Sequence, residues 1–313
     1  MLLDILILII GLATLILGGE VLVRGASRMA LRFQVSSLVV GLTIVAFSTS
    51  APEFLVSLNA ALRGVSDFAL GNIVGSNITN LTLVLGVAAL LGTIPIDKLT
   101  ARRDWPMTFG ASILFVFFSQ DGLLQHYEGY ILFAILIAYL THLLLFTKKD
   151  QIKLEVEEPD KNESKFEKYK DGLLIVFGGI CLYFGSEWFI LGGEAIAIDF
   201  GISERIVGLT VLSIGTSLPE LITSIIAAKK GDTNLALGNL FGSNIFNILS
   251  IIGMTTIIKE LSVNPTIFNT DMVWMLAITL GILPLMLLRK RLGTVTGIIL
   301  VSAYVLYVYF ILT

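Results

Sequence analysis

Charge is scarce in this sequence: Asp, Glu, Lys and Arg make up 14% of its 313 residues, while 55% are hydrophobic. A water-dissolved domain keeps roughly a quarter of its residues charged, so a soluble globule is excluded. Cysteine is nearly absent. Cys181 stands alone inside an apolar run, which leaves no disulfide framework and no thiolate metal site. Histidine is almost as rare, and His126 and His142 both lie outside every motif described below. They read as solvated or interfacial side chains. An imidazole or thiolate metal centre therefore has no material to be built from.

What the chain does have is long apolar stretches, with a mean hydropathy of +0.89. Charges and turn residues divide it into ten runs, at 1–30, 35–62, 68–93, 105–121, 128–147, 171–198, 203–228, 233–258, 271–288 and 293–312. Most are long enough to cross a hydrocarbon core of ~30 Å as helix. The first run, MLLDILILIIGLATLILGG, could pass for a secretory signal. It carries Asp4 where a basic region belongs, lacks a small-residue cleavage pattern, and recurs later in the chain. It is expected to be the first membrane helix.

If all ten runs span, the connections alternate between two sides. One side then receives 18 of the 21 lysines and arginines, including Arg24, Arg28, Arg32, Arg102, Arg103, Lys229 and Lys230. The other holds Arg63, Arg205 and Lys259. This asymmetry is the positive-inside bias, and it places both termini outside the cytoplasm. The one long polar stretch, 148–170, has mixed charge and suits a cytoplasmic tether.

A gapless shift of 167 residues lays 41–86 onto 208–253, and 21 of the 46 positions are identical. The same shift pairs Glu20 with Glu187 and Gly18 with Gly185. Each half holds an odd number of spans, so the second half enters the membrane upside down. The expected fold is an all-α membrane protein of ten transmembrane helices in two inverted five-helix repeats. Residues 1–147 form the first repeat, 148–170 the linker and 171–313 the second repeat. In transporters such duplication puts the substrate site near the midplane, where interrupted helices of the two halves meet.

The repeat carries chemistry. Thr49-Ser50-Ala51-Pro52-Glu53 is matched by Thr216-Ser217-Leu218-Pro219-Glu220. Proline breaks or kinks a helix and frees backbone carbonyls, which need a partner inside a membrane. Thr49 or Ser50 is expected to cap the restarted helix, putting Glu53 in its first turn, where the dipole favours a carboxylate. A charged side chain at the bilayer centre costs ~2.5–3.5 kcal/mol even on lenient scales. Two of them, symmetric, beside prolines and without a deep lysine or arginine, argue for function over packing. In the third run Asn72, Ser76 and Asn80 fall on one helix face, as do Asn239, Ser243 and Asn247 in the copy. The glycines between them suit close helix packing. Glu20 is expected to pair with Arg24 one turn on. All the ligands in this inventory are oxygens. Such a set suits hard cations, and several flexible oxygens favour Ca²⁺ over Mg²⁺. Sodium accepts the same ligands and protons titrate the same glutamates, so the counter-ion stays open at this point.

With these motifs the sequence resembles the cation/calcium exchanger superfamily, whose two repeats carry G-T-S-x-P-E and G-N-x-x-G-S-N-I-x-N/D. Here they stand as STSAPE with GNIVGSNITN, then GTSLPE with GNLFGSNIFN. The likeness covers nearly the whole chain and is greatest to compact prokaryotic sodium/calcium exchangers. It implies alternating access, with Ca²⁺ held by Glu53, Glu220 and the Thr49 and Thr216 carbonyls. It also implies sodium positions built from the Ala46 and Ser213 carbonyls with Ser76 and Ser243. Ser50 and Ser217 would shape the site, and Asn80 and Asn247 would complete its middle. Ca²⁺ and Na⁺ are then cargo, with no organic cofactor. The expected surroundings are the lipid bilayer of a prokaryotic plasma membrane, with no nucleic acid and no obligate protein partner. Two departures stand out. Asn247 replaces an aspartate found in several sodium/calcium exchangers, which argues against potassium cotransport, and Ser48 replaces a glycine kept at Gly215. Competing readings are a Ca²⁺/H⁺ antiporter on the same scaffold, a cation channel, and, remotest, a two-carboxylate intramembrane protease.

Overall fold

The computed structural model describes residues 1–96, 100–146, 165–200, 213–289 and 291–312. Most of the linker 148–170, the start of the seventh run with Ser203 and Arg205, and Lys98 and Lys290 lie outside the described residues. Among the described residues the regular structure is helical apart from four two-residue strands. The main helices are α1 (Leu2–Phe33), α2 (Ala51–Leu62), α3 (Ser66–Thr79), α4 (Trp105–Phe118), α5 (His126–Phe146), α6 (Lys165–Asp199), α7 (Leu218–Lys229), α8 (Thr233–Phe246), α9 (Met272–Arg289) and α10 (Thr294–Leu312).

Seven helices among the described residues are long and apolar enough to cross a membrane, and eight if the pair bent at Ser50 counts as one span. Eight of the ten apolar runs are thereby accounted for. The fourth run differs: its regular helix, α4, has only 14 residues, with a π-helical turn before it (Thr100–Asp104) and a 3₁₀ turn after it (Ser119–Asp121). A further difference is at the linker, where α6 already starts at Lys165 instead of 171.

The chain folds as two compact units, each drawing on both sequence halves. Unit 1 comprises residues 1–52, 147–239 and 308–313, and unit 2 comprises 53–146 and 240–307.

Unit 1 is organised by α1 against α6. Glycines recur every seven residues on both helices, at 11, 18 and 25 and at 178, 185 and 192. A Cβ at Gly11 would come within 2.5 Å of the Phe189 amide nitrogen, and one at Gly178 within 2.7 Å of that of Leu22. The two backbones touch. Without a hydrophobic force between helices in lipid, such close van der Waals contact is what holds them. Leu15, Leu22, Val23, Ala26 and Leu182 complete the buried seam, together with Leu218 and Ala227 of α7.

The polar end of unit 1 is tied by charge. Asp171 is 1% exposed and accepts from Arg28 Nε at 3.0 Å and Arg32 Nε at 2.8 Å. Glu20 does not take the expected partner. Its ion pair is with Lys230, because the α7–α8 turn brings that lysine onto α1, whereas Arg24 is exposed. Beside it Asp232 is buried and caps α8, accepting from Leu235 N at 3.0 Å, Ser37 Oγ at 2.7 Å and Ser27 Oγ at 3.1 Å. Burial raises its carboxyl above the ordinary value of 3.8, against the pull of these three donors. The sign follows from linkage: stability from Asp232 is complete below 3.8 and is lost as pH rises through the higher folded value. The thermal midpoint in detergent should therefore fall as pH rises from 4 through that window. Asp232→Asn keeps an acceptor and should flatten this component. An unchanged pH profile in the variant would assign the dependence elsewhere.

Unit 2 shows the 167-residue relation in its anchors. Strand β1 (Ile94–Pro95) pairs with β4 (Arg291–Leu292), and β2 (Leu123–Leu124) with β3 (Leu261–Ser262), both antiparallel. Asp104 and Asp271 are repeat mates, each the last residue of a π-helical turn. Asp104 accepts from Tyr139 at 3.2 Å and from Arg103 Nε at 2.6 Å, and Asp271 accepts from Tyr307 at 3.2 Å. The sequence reading missed this pair, although the same shift would have found it.

Candidate cation-binding site

In unit 1, Glu220 is 0% exposed and sits in the first turn of α7, directly after Pro219. The preceding helical segment, Ser213–Thr216, ends at Ser217, whose φ of −88° and ψ of 3° interrupt the helix. Ser217 makes no capping hydrogen bond. Ser50 does not cap its own restart either: its hydroxyl donates to Glu220 Oε1 at 2.9 Å. The Ser50 proton is committed to a charged acceptor, a stronger bond than one between neutral groups. One broken span thus serves the carboxylate of the other.

From α8, the Asn239 amide nitrogen lies 3.4 Å from the Glu220 backbone carbonyl. The Asn239 amide nitrogen lies 3.0 Å from Thr223 Oγ1 and 3.1 Å from Ser224 Oγ, and its oxygen accepts from Thr49 Oγ1 at 3.0 Å. The Ala46 carbonyl, expected as a sodium ligand, accepts from Ser50 N at 2.9 Å and lies 3.2 Å from Thr49 Oγ1. Gly215's carbonyl, freed by the break, accepts from Ser186 at 2.7 Å. The Ser48/Gly215 difference has a steric cause. A Cβ at Gly215 would stand 2.3 Å from Ile190 Cγ1, whereas Ser48 faces Gly179, which leaves room for a side chain. Thr216 is buried, and Ser213 opens the helical segment that ends at it.

In unit 2, Glu53 is 0% exposed in the first turn of α2. Asn72 repeats the role of Asn239, with its amide nitrogen 3.0 Å from Ser57 Oγ and 3.4 Å from the Glu53 carbonyl. Asn72, Ser76 and Asn80 are buried, and so are Ser243 and Asn247. Asn80 and Asn247 each open a π-helical turn, Asn80–Val84 and Asn247–Ile252. Such turns concentrate at functional sites.

Several of these atoms have no protein partner. Among the described residues, buried Ser76 Oγ, both amide atoms of Asn80 and Asn247 Oδ1 in unit 2 make no hydrogen bond, nor does Ser217 Oγ in unit 1. Each buried orphan costs ~1–3 kcal/mol. Asn80 and Asn247, which are repeat mates, both carry such atoms. Asn77 and Asn244 stand in the two G-S-N stretches, and the sequence assigns neither of them a role. Their only signal was identity at matched repeat positions.

Buried carboxylates after helix breaks, with neutral hydroxyl and amide oxygens on repeat-related faces, define a membrane carrier of hard cations. The sequence model of the Sodium/calcium exchanger protein family matches residues 3–145 and again 171–313. CaxA of Alkalimonas amylolytica is 38% identical over 96% of both chains. The sodium/calcium exchanger MaX1 of Methanosarcina acetivorans is 31% identical over 96% of both. Among solved structures, the sodium-calcium exchanger NCX_Mj superposes with a TM-score of 0.84 at 28% identity, covering 98% of each chain. The chain belongs to the sodium/calcium exchanger family. It is a multi-pass membrane antiporter of the cation/Ca²⁺ type, and not an enzyme.

Proposed function

We propose that this antiporter exchanges Ca²⁺ for Na⁺ across a prokaryotic plasma membrane by alternating access. Ca²⁺ is ligated near the midplane by both Glu53 and Glu220, with the Thr49 and Thr216 carbonyls. Ser50 and Ser217 shape this site, and Asn80 and Asn247 complete its middle. Sodium uses Ser76 and Ser243 with the Ala46 and Ser213 carbonyls. Ten spans in two inverted repeats, with both termini outside, are the matching topology. The double family match, one per half, and the crossed strand pairs β1–β4 and β2–β3 support that symmetry.

The observation that carries the reading is the buried donor set. It combines two carboxylates in first helical turns with serine and asparagine oxygens that no protein group satisfies. Two carboxylates match one divalent ion, and neutral oxygens suit Na⁺ as well. The names of MaX1 and NCX_Mj favour sodium as the counter-ion.

The test is ⁴⁵Ca²⁺ uptake into proteoliposomes loaded with Na⁺ and diluted into Na⁺-free buffer, with a parallel arm driven by a pH gradient. Uptake that requires internal Na⁺ is the expected result. Uptake driven only by the pH gradient would move the protein to proton coupling. Passage of Ca²⁺ without either gradient would indicate a channel.

A further inference from the structure

We propose that Asn77 and Met275 are positioning residues that hold the side-chain oxygen of Asn247 toward the transported cation. The inference rests on the ligand role given to Asn247 above, and it is built wholly within unit 2.

The two ends of an asparagine amide have the same shape, so only the partners decide which way it points. Here the partners form a directed chain. Met275 is 1% exposed, and its thioether sulfur can accept but not donate. It lies 3.8 Å from Asn77 Nδ2, so the amide nitrogen of Asn77 must face it. Asn77 Oδ1 then points the other way, to Asn247 Nδ2 at 3.1 Å. That contact requires Asn247 to present its nitrogen. Its oxygen is left facing away, fully buried and with no hydrogen-bond partner among the described residues. One sulfur thus sets the polarity of two amides in succession.

The repeat-related positions lack this arrangement. Asn244, the mate of Asn77, donates to the Leu240 carbonyl at 2.8 Å, and its oxygen, also without a hydrogen-bond partner among the described residues, orients no second amide. Asn80, the mate of Asn247, has neither amide atom engaged among the described residues. Asn80 is free to turn either end inward; Asn247 is held with its oxygen available. The distinction matters only for an amide. A carboxylate at 247 would present oxygen in either orientation, whereas an amide facing a cation with its NH₂ group repels it. A fixed Asn247 therefore supplies a neutral oxygen ligand without reorganisation on binding.

The experiment is a double-mutant cycle read by binding. The thermal midpoint of purified protein in detergent is titrated with Ca²⁺ and, separately, with Na⁺, since an ion that binds the native state raises it. Asn77→Ala should weaken half-saturation about fivefold, within the range of one neutral hydrogen bond. In an Asn247→Ala background the same change should matter less than twofold, because Asn77 then has nothing to orient. Met275→Leu keeps the volume and removes the acceptor, so it should shift half-saturation in the same direction by a smaller factor. Asn244→Ala should stay within twofold of the parent. Equal effects of Asn77→Ala in both backgrounds, or none in the parent, would overturn the proposal and leave the exchange reading standing. If Asn77→Ala does not fold, parent-like binding by Met275→Leu would overturn it. No midpoint shift by either ion in the parent chain would overturn both.

Discussion

Replacing Glu220 with glutamine should abolish Ca²⁺ uptake, lowering it at least a hundredfold, while the protein still folds and inserts. Glutamine preserves the volume and an acceptor oxygen, so the Ser50 hydroxyl, now 2.9 Å from Oε1, still has a partner. The Asn239 bracket from α8 reaches Thr223 and Ser224, not the carboxylate oxygens, and it is untouched. What disappears is one full negative charge in a buried site. Affinity for Ca²⁺ follows the count of charged ligands, and a hundredfold loss needs only about 2.7 kcal/mol. Glu53→Gln should behave alike, since Asn72 holds the Glu53 backbone carbonyl and not its charge. The double variant should be no worse than either single one, because losing one carboxylate already leaves a divalent ion half neutralised. The measurement is Na⁺-driven ⁴⁵Ca²⁺ uptake, with size-exclusion elution and melting as controls. Uptake above a tenth of the parent in either variant would remove these glutamates from the ion path.

Much of this site is legible before any coordinates. Prolines at 52 and 219 mark the breaks, and the 167-residue shift finds their partners without any structural knowledge. Periodicity also places Asn72, Ser76 and Asn80 on one face, since a spacing of four survives any uncertainty in where α3 begins. Partners distant in sequence are what stays hidden. Nothing local says that the Ser50 hydroxyl donates to Glu220, because that acceptor lies 170 residues away. Glu20 fails for the same reason: Arg24 is one turn along the helix, but the turn after α7 delivers Lys230. The π-helical turns at Asn80 and Asn247 are invisible too, since one extra residue per turn leaves no compositional trace. The retained glycine at 215 is a packing fact about Ile190, so only contact geometry explains it.

The second large effect concerns the α1–α6 seam, and Gly185→Leu is the sharpest probe of it. A Cβ at this position would stand 2.7 Å from the Leu15 amide nitrogen and 3.0 Å from the Gly11 carbonyl oxygen. These are backbone atoms of a helix, so no rotamer change relieves the clash and the two axes must separate. Overpacking a tight contact costs typically 1–3 kcal/mol. Here the cost should lie at the upper end, because the seven-residue glycine spacing makes the contact continuous. Separation at Gly185 also loosens Gly11, Gly18 and Gly178, whose own neighbours lie on the facing backbone. In lipid no hydrophobic force restores the pair once packing is lost. The variant should therefore melt many degrees lower in detergent and lose transport. Gly172→Ala, on the same helix but with open space around its Cβ, should match the parent or exceed it slightly in stability. A Gly185→Leu protein with parent-like melting would mean that the backbones do not touch there. The contrast between two glycines of one helix separates close approach from helix propensity, since propensity alone favours both substitutions.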